Sequence, residues 1–210
     1  MADLKELLIG TVKSLSNAID AKSPWTAGHS ERVTRYALEI GMKMHFPEVD
    51  LNDLELGSLL HDVGKIGVYD AILNKPAPLT REEYETLKGH PLRGVRLLGP
   101  IKQLSRIIPC IRHHHERLDG SGYPDGLKGE RIPLWARILA VADAFDSMTS
   151  DRPYRKALSS EAAIDELKRC VMTQFDPEIV KTFIDILSGR GKRDQHQSAS
   201  PQVTLSLDGP

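Results

Sequence analysis

Apolar positions along the chain recur at intervals of three and four, and no alternating run persists, so the pattern predicts an all-α fold. A first helix is expected over residues 3 to 21, where Leu4, Leu7, Leu8, Val12, Leu15 and Ile19 form one stripe before Ser23-Pro24 interrupts it. A second is expected from Ala27 to Met44, with Val33, Ala37, Ile40 and Met44 on its apolar face. One turn before Val33 stands His29, which that spacing turns inward. Asn52 is the expected N-cap of a third helix that carries Leu56, Leu59, Leu60 and Val63 and ends at Gly64 or Gly67. Thr80-Arg81-Glu82-Glu83 reads as a capping box, His90-Pro91 opens another segment, and Ile101 to His115 reads as one helix. The loop that follows is dense in turn signals, Asp119-Gly120, Ser121-Gly122 and Pro124-Asp125-Gly126, and closes at Pro133. Leu134, Ile138, Val141, Phe145 and Met148 then predict a buried helix with Asp143 and Asp146 inside it. Amphipathic helices are expected over 159 to 172 and over 177 to 187, the latter capped by Asp176. The expectation is a single bundle of about seven to eight helices over 23–188. A terminal helix over 1–22 precedes it, and a tail over 189–210 has too little to bury and is expected to be disordered.

Composition and charge narrow the function. With 210 residues, 40% of them apolar, the chain can bury a core as one domain. Lys and Arg number 28 against 29 Asp and Glu, a net charge of -1, which excludes the broad basic field of a DNA-binding or membrane-surface protein. An anionic ligand must be held locally. No apolar run approaches the ~18 residues of a membrane-spanning helix, and the opening lacks the basic start and cleavage site of a signal, so the expected location is cytoplasmic. Cys110 and Cys170 stand alone in apolar helical stretches without CxxC spacing, which reads as reduced packing residues and excludes iron-sulfur and zinc-ribbon sites.

The candidate chemistry begins at His61-Asp62. Adjacent residues on a helix leave about 100° apart, so an imidazole and a carboxylate there can reach two neighbouring ions, with the carboxylate free to bridge. Lys65 follows on the same side, suited to the charge of a transferring phosphoryl group. A lone pair of this kind is as readily a helix C-terminus decorated with cations. The other histidines decide between the two: His29, His61, His90, His113, His114 and His115 all fall in or beside helices with apolar inward faces. Several imidazoles and two aspartates buried together are costly to desolvate unless a metal neutralises them. Asp143 by itself leaves two partners open, a metal or a salt bridge to Arg137 or Arg152. Asp146, about one turn on, is placed to orient a ligating imidazole.

His61-Asp62-Val63-Gly64-Lys65 together with His114-His115-Glu116-Arg117-Leu118-Asp119-Gly120-Ser121-Gly122-Tyr123-Pro124 resembles the HD-GYP signature, HDxGK followed by HHExxDGxGYP. Supporting blocks at Thr26 to Val33, Leu73-Asn74-Lys75-Pro76 and Ala142 to Arg155 extend the likeness over residues ~12 to 187. The HD-GYP family is a branch of the HD phosphohydrolases that opens cyclic dinucleotides, chiefly cyclic di-GMP, in bacteria. The resemblance implies a metal-dependent phosphodiesterase that ends second-messenger signalling by cutting cyclic di-GMP to linear pGpG, with a second cut to GMP open. It implies that His29, His61, Asp62 and Asp143 surround one metal and Asp62, His90 and His114 a second, with Asp62 bridging and His115 joining the second ion or a third. Lys65 and Asp62 are the implied catalytic residues, and Tyr123, Arg152 and Arg155 the implied substrate contacts. A donor set of imidazoles and carboxylates suits iron, manganese, nickel or zinc, and the family likeness favours iron or manganese.

Two departures bear on that reading. The carboxylate that supports a third ion in some members is replaced here by Trp25, so two divalent ions are expected. Ser23 stands where others carry Asp. Gly120 to Gly126 fails the dinucleotide fingerprint, having one residue too many and following a helix. Alternatives of other kinds are an HD phosphohydrolase acting on another cyclic dinucleotide or nucleotide, and a non-catalytic module that binds the dinucleotide or a diguanylate cyclase or other signalling partner. The stripe of the first helix suits a connector or a homodimer contact.

Overall fold

A computed structural model describes residues 2–152 and 155–198, with side chains over 6–152 and 155–189. The side chains of Leu4 and His196, together with Pro153, Tyr154 and residues 199–210, lie outside what is described. Ten α-helices occur among the described residues: α1 Ala2–Asp20, α2 His29–Lys43, α3 Glu48–Leu60, α4 Asp70–Leu73, α5 Arg81–Lys88, α6 His90–Leu98, α7 Ile108–His113, α8 Leu134–Thr149, α9 Ser160–Arg169 and α10 Pro177–Ser198. The only extended pairings among them are isolated bridges, Arg152 with Arg155 and Val171 with Phe175. The fold is all-α, and its helix count passes eight because one-turn pieces such as α4 stand as helices of their own.

Two apolar clusters make the core. In one, Val33 and Ile40 of α2, Leu54 of α3, Ile138 and Val141 of α8 and Phe183 of α10 are all fully buried. Tyr36, Phe145 and Phe183 meet there edge to face, with ring centroids 5.1 to 5.5 Å apart. The other joins Val12 and Ile19 of α1 to Leu59, Leu60, Leu98, Ile107 and Ile111. Leu7, Leu8 and Leu15 of α1 lie on its exposed side, so the predicted single stripe divides between core and solvent.

Several boundaries differ from the sequence pattern, each for a local reason. α3 begins at Glu48 after Pro47, with Glu48 and Asp50 in its first turn, so Asn52 is interior and not a cap. It ends at Leu60, and a 3-10 turn over Val63–Gly67 carries the chain onward. Ile101 to His115 is broken, because Pro109 is tolerated only in a first turn; α7 starts at Ile108 and a short 3-10 turn, Lys102–Leu104, precedes it. Pro133 stands at the N-cap of α8. Helical backbone continues through Ser198, past residue 188 where disorder is expected. The capping box of α5 is present, with Thr80 and Glu83 satisfying each other's backbone N–H groups, and Asp176 Oδ1 accepts from Glu178 N at the start of α10.

Candidate metal centre

Five helices direct polar side chains to one buried locus. His29 opens α2, which follows Gly28 at φ +66°, a backbone conformation that favours glycine. Asp20 at the end of α1 accepts from the Ser30 backbone N–H at 3.0 Å and from its hydroxyl at 2.9 Å, fixing where α2 starts. His61 and Asp62 sit at the end of α3, His90 starts α6, His114 and His115 follow α7, and Asp143 lies in α8. His29, His61, His90, His114 and Asp62 are buried; Asp143 is 20% exposed by its side chain, less buried than its helix position predicts.

Four of the imidazoles are oriented the same way. His61 Nδ1 meets the Ser58 carbonyl at 2.7 Å, His90 Nδ1 the Leu87 carbonyl at 2.9 Å and His114 Nδ1 the Ile111 carbonyl at 2.8 Å. His29 Nδ1 meets Asp146 Oδ2 at 2.7 Å. Since carbonyls only accept, Nδ1 is the donor in those pairs and the Nε2 lone pair is turned inward. The Nε2 atoms converge on Asp62: His90 lies 3.2 Å from its Oδ1, while His61 and His29 lie 3.4 and 3.6 Å from its Oδ2. Asp143 Oδ1 is 3.3 Å from His29 Nε2. Two sets of donor atoms result, Asp62 with His90, His114 and His115, and His29 with His61 and Asp143, each set within 4.8 Å. His61 Nε2 and Asp62 Oδ1 are buried without a hydrogen-bond partner, an arrangement disfavoured unless a further ligand completes it. This donor set fits divalent metal ions.

The electrostatics follow the same geometry. Burial opposes charge on His29, but Asp146, Asp62 and Asp143 outweigh it and raise its pKa to about 9. Burial would push the Asp62 carboxyl up, yet Lys65, His61 and His29 hold it well below the usual carboxylate range. Burial and neighbouring imidazoles hold His114 and His115 well below an ordinary histidine.

Lys65 Nζ is 2.5 Å from Asp62 Oδ2. Arg152 lines a cavity of about 720 Å³ together with Asp62 and Lys65. Tyr123, within the turn-rich loop, packs its ring 5.0 Å from that of His115 and lines a second cavity with His114, His115 and Asp143. Arg155 donates to the Ser147 carbonyl at 2.8 Å, and Arg152 to the Ser147 hydroxyl at 3.2 Å. Neither arginine pairs with Asp143, and Arg137 pairs with Asp176 instead. His113 lies near Glu116 and Asp125, but Arg112 holds both Asp125 oxygens and Glu116 accepts from the backbone of Asp125 and Leu127, so that group secures the loop.

Three residues escaped the sequence pattern: Asp20, Arg32 and Ser147. Arg32 donates to both oxygens of Asp146, at 2.6 and 3.1 Å, and so holds the acceptor of His29. Its spacing from His29, three residues on one helix face, was the available signal.

A bundle of helices closing on paired imidazole and carboxylate groups defines an HD-type domain. The chain belongs to the HD domain family, whose model matches residues 13–179. It is 40% identical over 170 residues to the 3'3'-cGAMP-specific phosphodiesterase 3 of Vibrio cholerae serotype O1, covering 80% of this chain and 36% of that protein. It is 39% identical over 197 residues to the cyclic di-GMP phosphodiesterase response regulator RpfG of Xanthomonas campestris pv. campestris, covering 93% of this chain and 51% of that one. The chain thus spans about half or less of the length of these relatives. Among solved structures, a cyclic GMP-AMP specific phosphodiesterase of V. cholerae superimposes with a TM-score of 0.68 at 22% identity, over 92% of this chain and 54% of that one, which shows the shared fold. No described helix is long and apolar enough to cross a membrane.

Proposed function

We propose that this chain hydrolyses a phosphodiester bond of a cyclic dinucleotide, converting cyclic di-GMP to linear pGpG, with a further cut to GMP open. The observation that carries the reading is the placement of Asp62, whose two oxygens face different imidazoles while every oriented Nε2 points inward. His29, His61, Asp62 and Asp143 would hold one divalent ion, and Asp62, His90, His114 and His115 a second; iron or manganese is favoured by the donor set and the family. Trp25, at the place of a third ion's carboxylate, supports two ions over three. Such ions supply Lewis acidity toward phosphoryl oxygens and lower the pKa of water.

The side chains of the protein have separate tasks. Asp146, itself clamped by Arg32, fixes the tautomer and direction of His29. Lys65 and Arg152 share a cavity with Asp62 and place two cations where a phosphodiester would carry its charge. Arg155 is held beside Arg152 by Ser147 and by the bridge between the two arginines. Tyr123, beside His115, lines the second cavity with His114 and Asp143.

A second reading, 3'3'-cGAMP as substrate, is favoured by one observation: relatives of nearly equal identity are named for the two different dinucleotides. Protein purified anaerobically and loaded with Fe(II) or Mn(II) is incubated with each dinucleotide, and the products are separated. Linear pGpG is the expected product from cyclic di-GMP. Turnover of 3'3'-cGAMP alone establishes the second reading, and binding of both dinucleotides without cleavage by fully loaded protein makes the chain a binding module, for a cyclase or other signalling partner to be sought.

A further inference from the structure

The cavity that holds Lys65 and Arg152 is mostly not cationic. Ile72, Leu73, Pro78 and Leu87 give it apolar wall between its polar groups, and Tyr84 and Trp25 are its aromatic side chains, Trp25 the larger. The turn that carries Trp25 is pinned by its backbone. Ser23 Oγ accepts from Trp25 N at 3.4 Å, and Thr26 Oγ1 donates to the carbonyls of Asp20 at 2.6 Å and Ser23 at 3.0 Å. Yet the Trp25 residue remains 38% exposed. A large aromatic side chain held on a fixed turn, half open to a cavity, has apolar surface that the fold itself does not cover.

The charged groups on this wall are otherwise engaged. Lys22 donates to the carbonyls of Ile66 and Val68, and Lys75 to Glu83. Lys65 is paired with Asp62, whereas Arg152 donates to the neutral Ser147 hydroxyl and keeps its charge for a ligand. Negative charge is therefore directed to Arg152, beside Lys65 and Asp62, and Trp25 is left to a flat, weakly charged group. A cavity of about 720 Å³ lies within the usual range for small-molecule sites, ~300 to 1,000 Å³. We propose that Trp25 is the stacking platform for one purine base of the substrate, so that the base lies on the indole while the adjoining phosphate reaches Lys65 and Arg152. This inference rests on the cyclic-dinucleotide reading and names the residue that recognises the base.

Two measurements on the metal-loaded protein test it. In steady-state hydrolysis of cyclic di-GMP, Trp25→Ala is expected to raise KM by about tenfold with kcat little changed, since losing one base–aromatic stack costs on the order of a tenfold weakening or more. Trp25→Phe, which keeps an aromatic face, is expected to stay within about threefold of the parent. In the second measurement Trp135→Phe removes the other of the chain's two tryptophans, leaving Trp25 as the sole indole, and GMP is titrated. Quenching that saturates is expected, and its absence in the complementary Trp25→Phe protein, which keeps Trp135 as its one indole, ties the signal to Trp25. Hydrolysis with an unchanged KM in Trp25→Ala, together with no quenching by GMP, overturns the platform while leaving the enzymatic reading intact. Saturable quenching by GMP in protein that cleaves neither dinucleotide keeps the platform and overturns the enzymatic reading.

Discussion

Asp62 occupies the point where the two donor sets meet, Oδ1 toward His90 and Oδ2 toward His61 and His29. In the proposed two-ion arrangement, replacing it removes a donor from both ions at once, while the imidazoles it neutralises remain buried. In Asp62→Ala, metal content measured by mass spectrometry and phosphodiesterase activity are expected to fall together, below detection for activity, in protein whose circular dichroism is still helical; normal turnover in that variant rules out the assignment. Asp146 poses a subtler test, because among the described residues its carboxylate bonds His29 and Arg32 alone. Asp146→Asn keeps the shape but loses the charge that orients the imidazole. A carboxylate behind a ligating histidine is typically worth 10- to 100-fold in metal affinity, so a competition titration with a chelator is expected to show a loss of about that size. An affinity unchanged within twofold means His29 needs no such support.

Between elements, the tightest approach in the site is made by the glycine of His61-Asp62-Val63-Gly64-Lys65. A Cβ on Gly64 would lie 1.9 Å from the His90 carbonyl oxygen and 2.6 Å from Gly94 N, both backbone atoms of α6. The turn after α3 and the first turn of α6 therefore lie in direct backbone contact, and that contact sets His61 and Asp62 against His90. In Gly64→Ala the two segments must part. Overpacking of this kind costs about 3 kcal/mol, which for a domain of this size lowers Tm by roughly 6 to 12 °C; the metal set containing His90 is expected to weaken more than the set containing Asp143. A Tm within 2 °C of the parent contradicts the close approach. The same contact shows where sequence patterns reach and where they stop. Helix faces were legible because each amphipathic stripe is a local property, and spacing alone turned His29 inward and put the other histidines in or beside helices with apolar inward faces. Breaks were not, where one residue outweighs a stripe: Pro109 ends the apparent helix from Ile101, and Pro47 moves the start of α3 ahead of Asn52. Partners distant in sequence, such as Arg32 with Asp146, depend on tertiary packing that periodicity does not encode. The likeness of motifs, not their spacing, supplied the pairing of donors around particular ions.

Across the whole molecule, the buried centre links protonation, metal content and stability. Without metal, His29 holds its proton up to a pKa of about 9 because Asp146, Asp62 and Asp143 surround it. A folded-state pKa above the unfolded value of about 6.5 contributes stability that is complete below 6.5 and is lost as pH rises through 9. His61 is raised as well: burial opposes its charge, but Asp62 outweighs it. His114 and His115, held well below an ordinary histidine, are neutral over that interval and have no proton to release there. In the ligand set proposed above a metal takes His29 as the neutral imidazole, so binding between pH 6.5 and 9 is expected to expel at least that proton. Metal affinity is therefore expected to rise by about tenfold per pH unit across the interval, more steeply if His61 also releases its proton. The metal-free protein loses its imidazolium–carboxylate attraction over the same range while the loaded protein does not depend on it. The gap in Tm between loaded and chelator-treated protein is accordingly expected to widen from pH 6.5 to 9. Calorimetry in buffers of different ionisation enthalpy counts the protons released on metal binding at pH 7.5; a count near zero means that His29 is already neutral there and that Asp146 serves only to aim the ring.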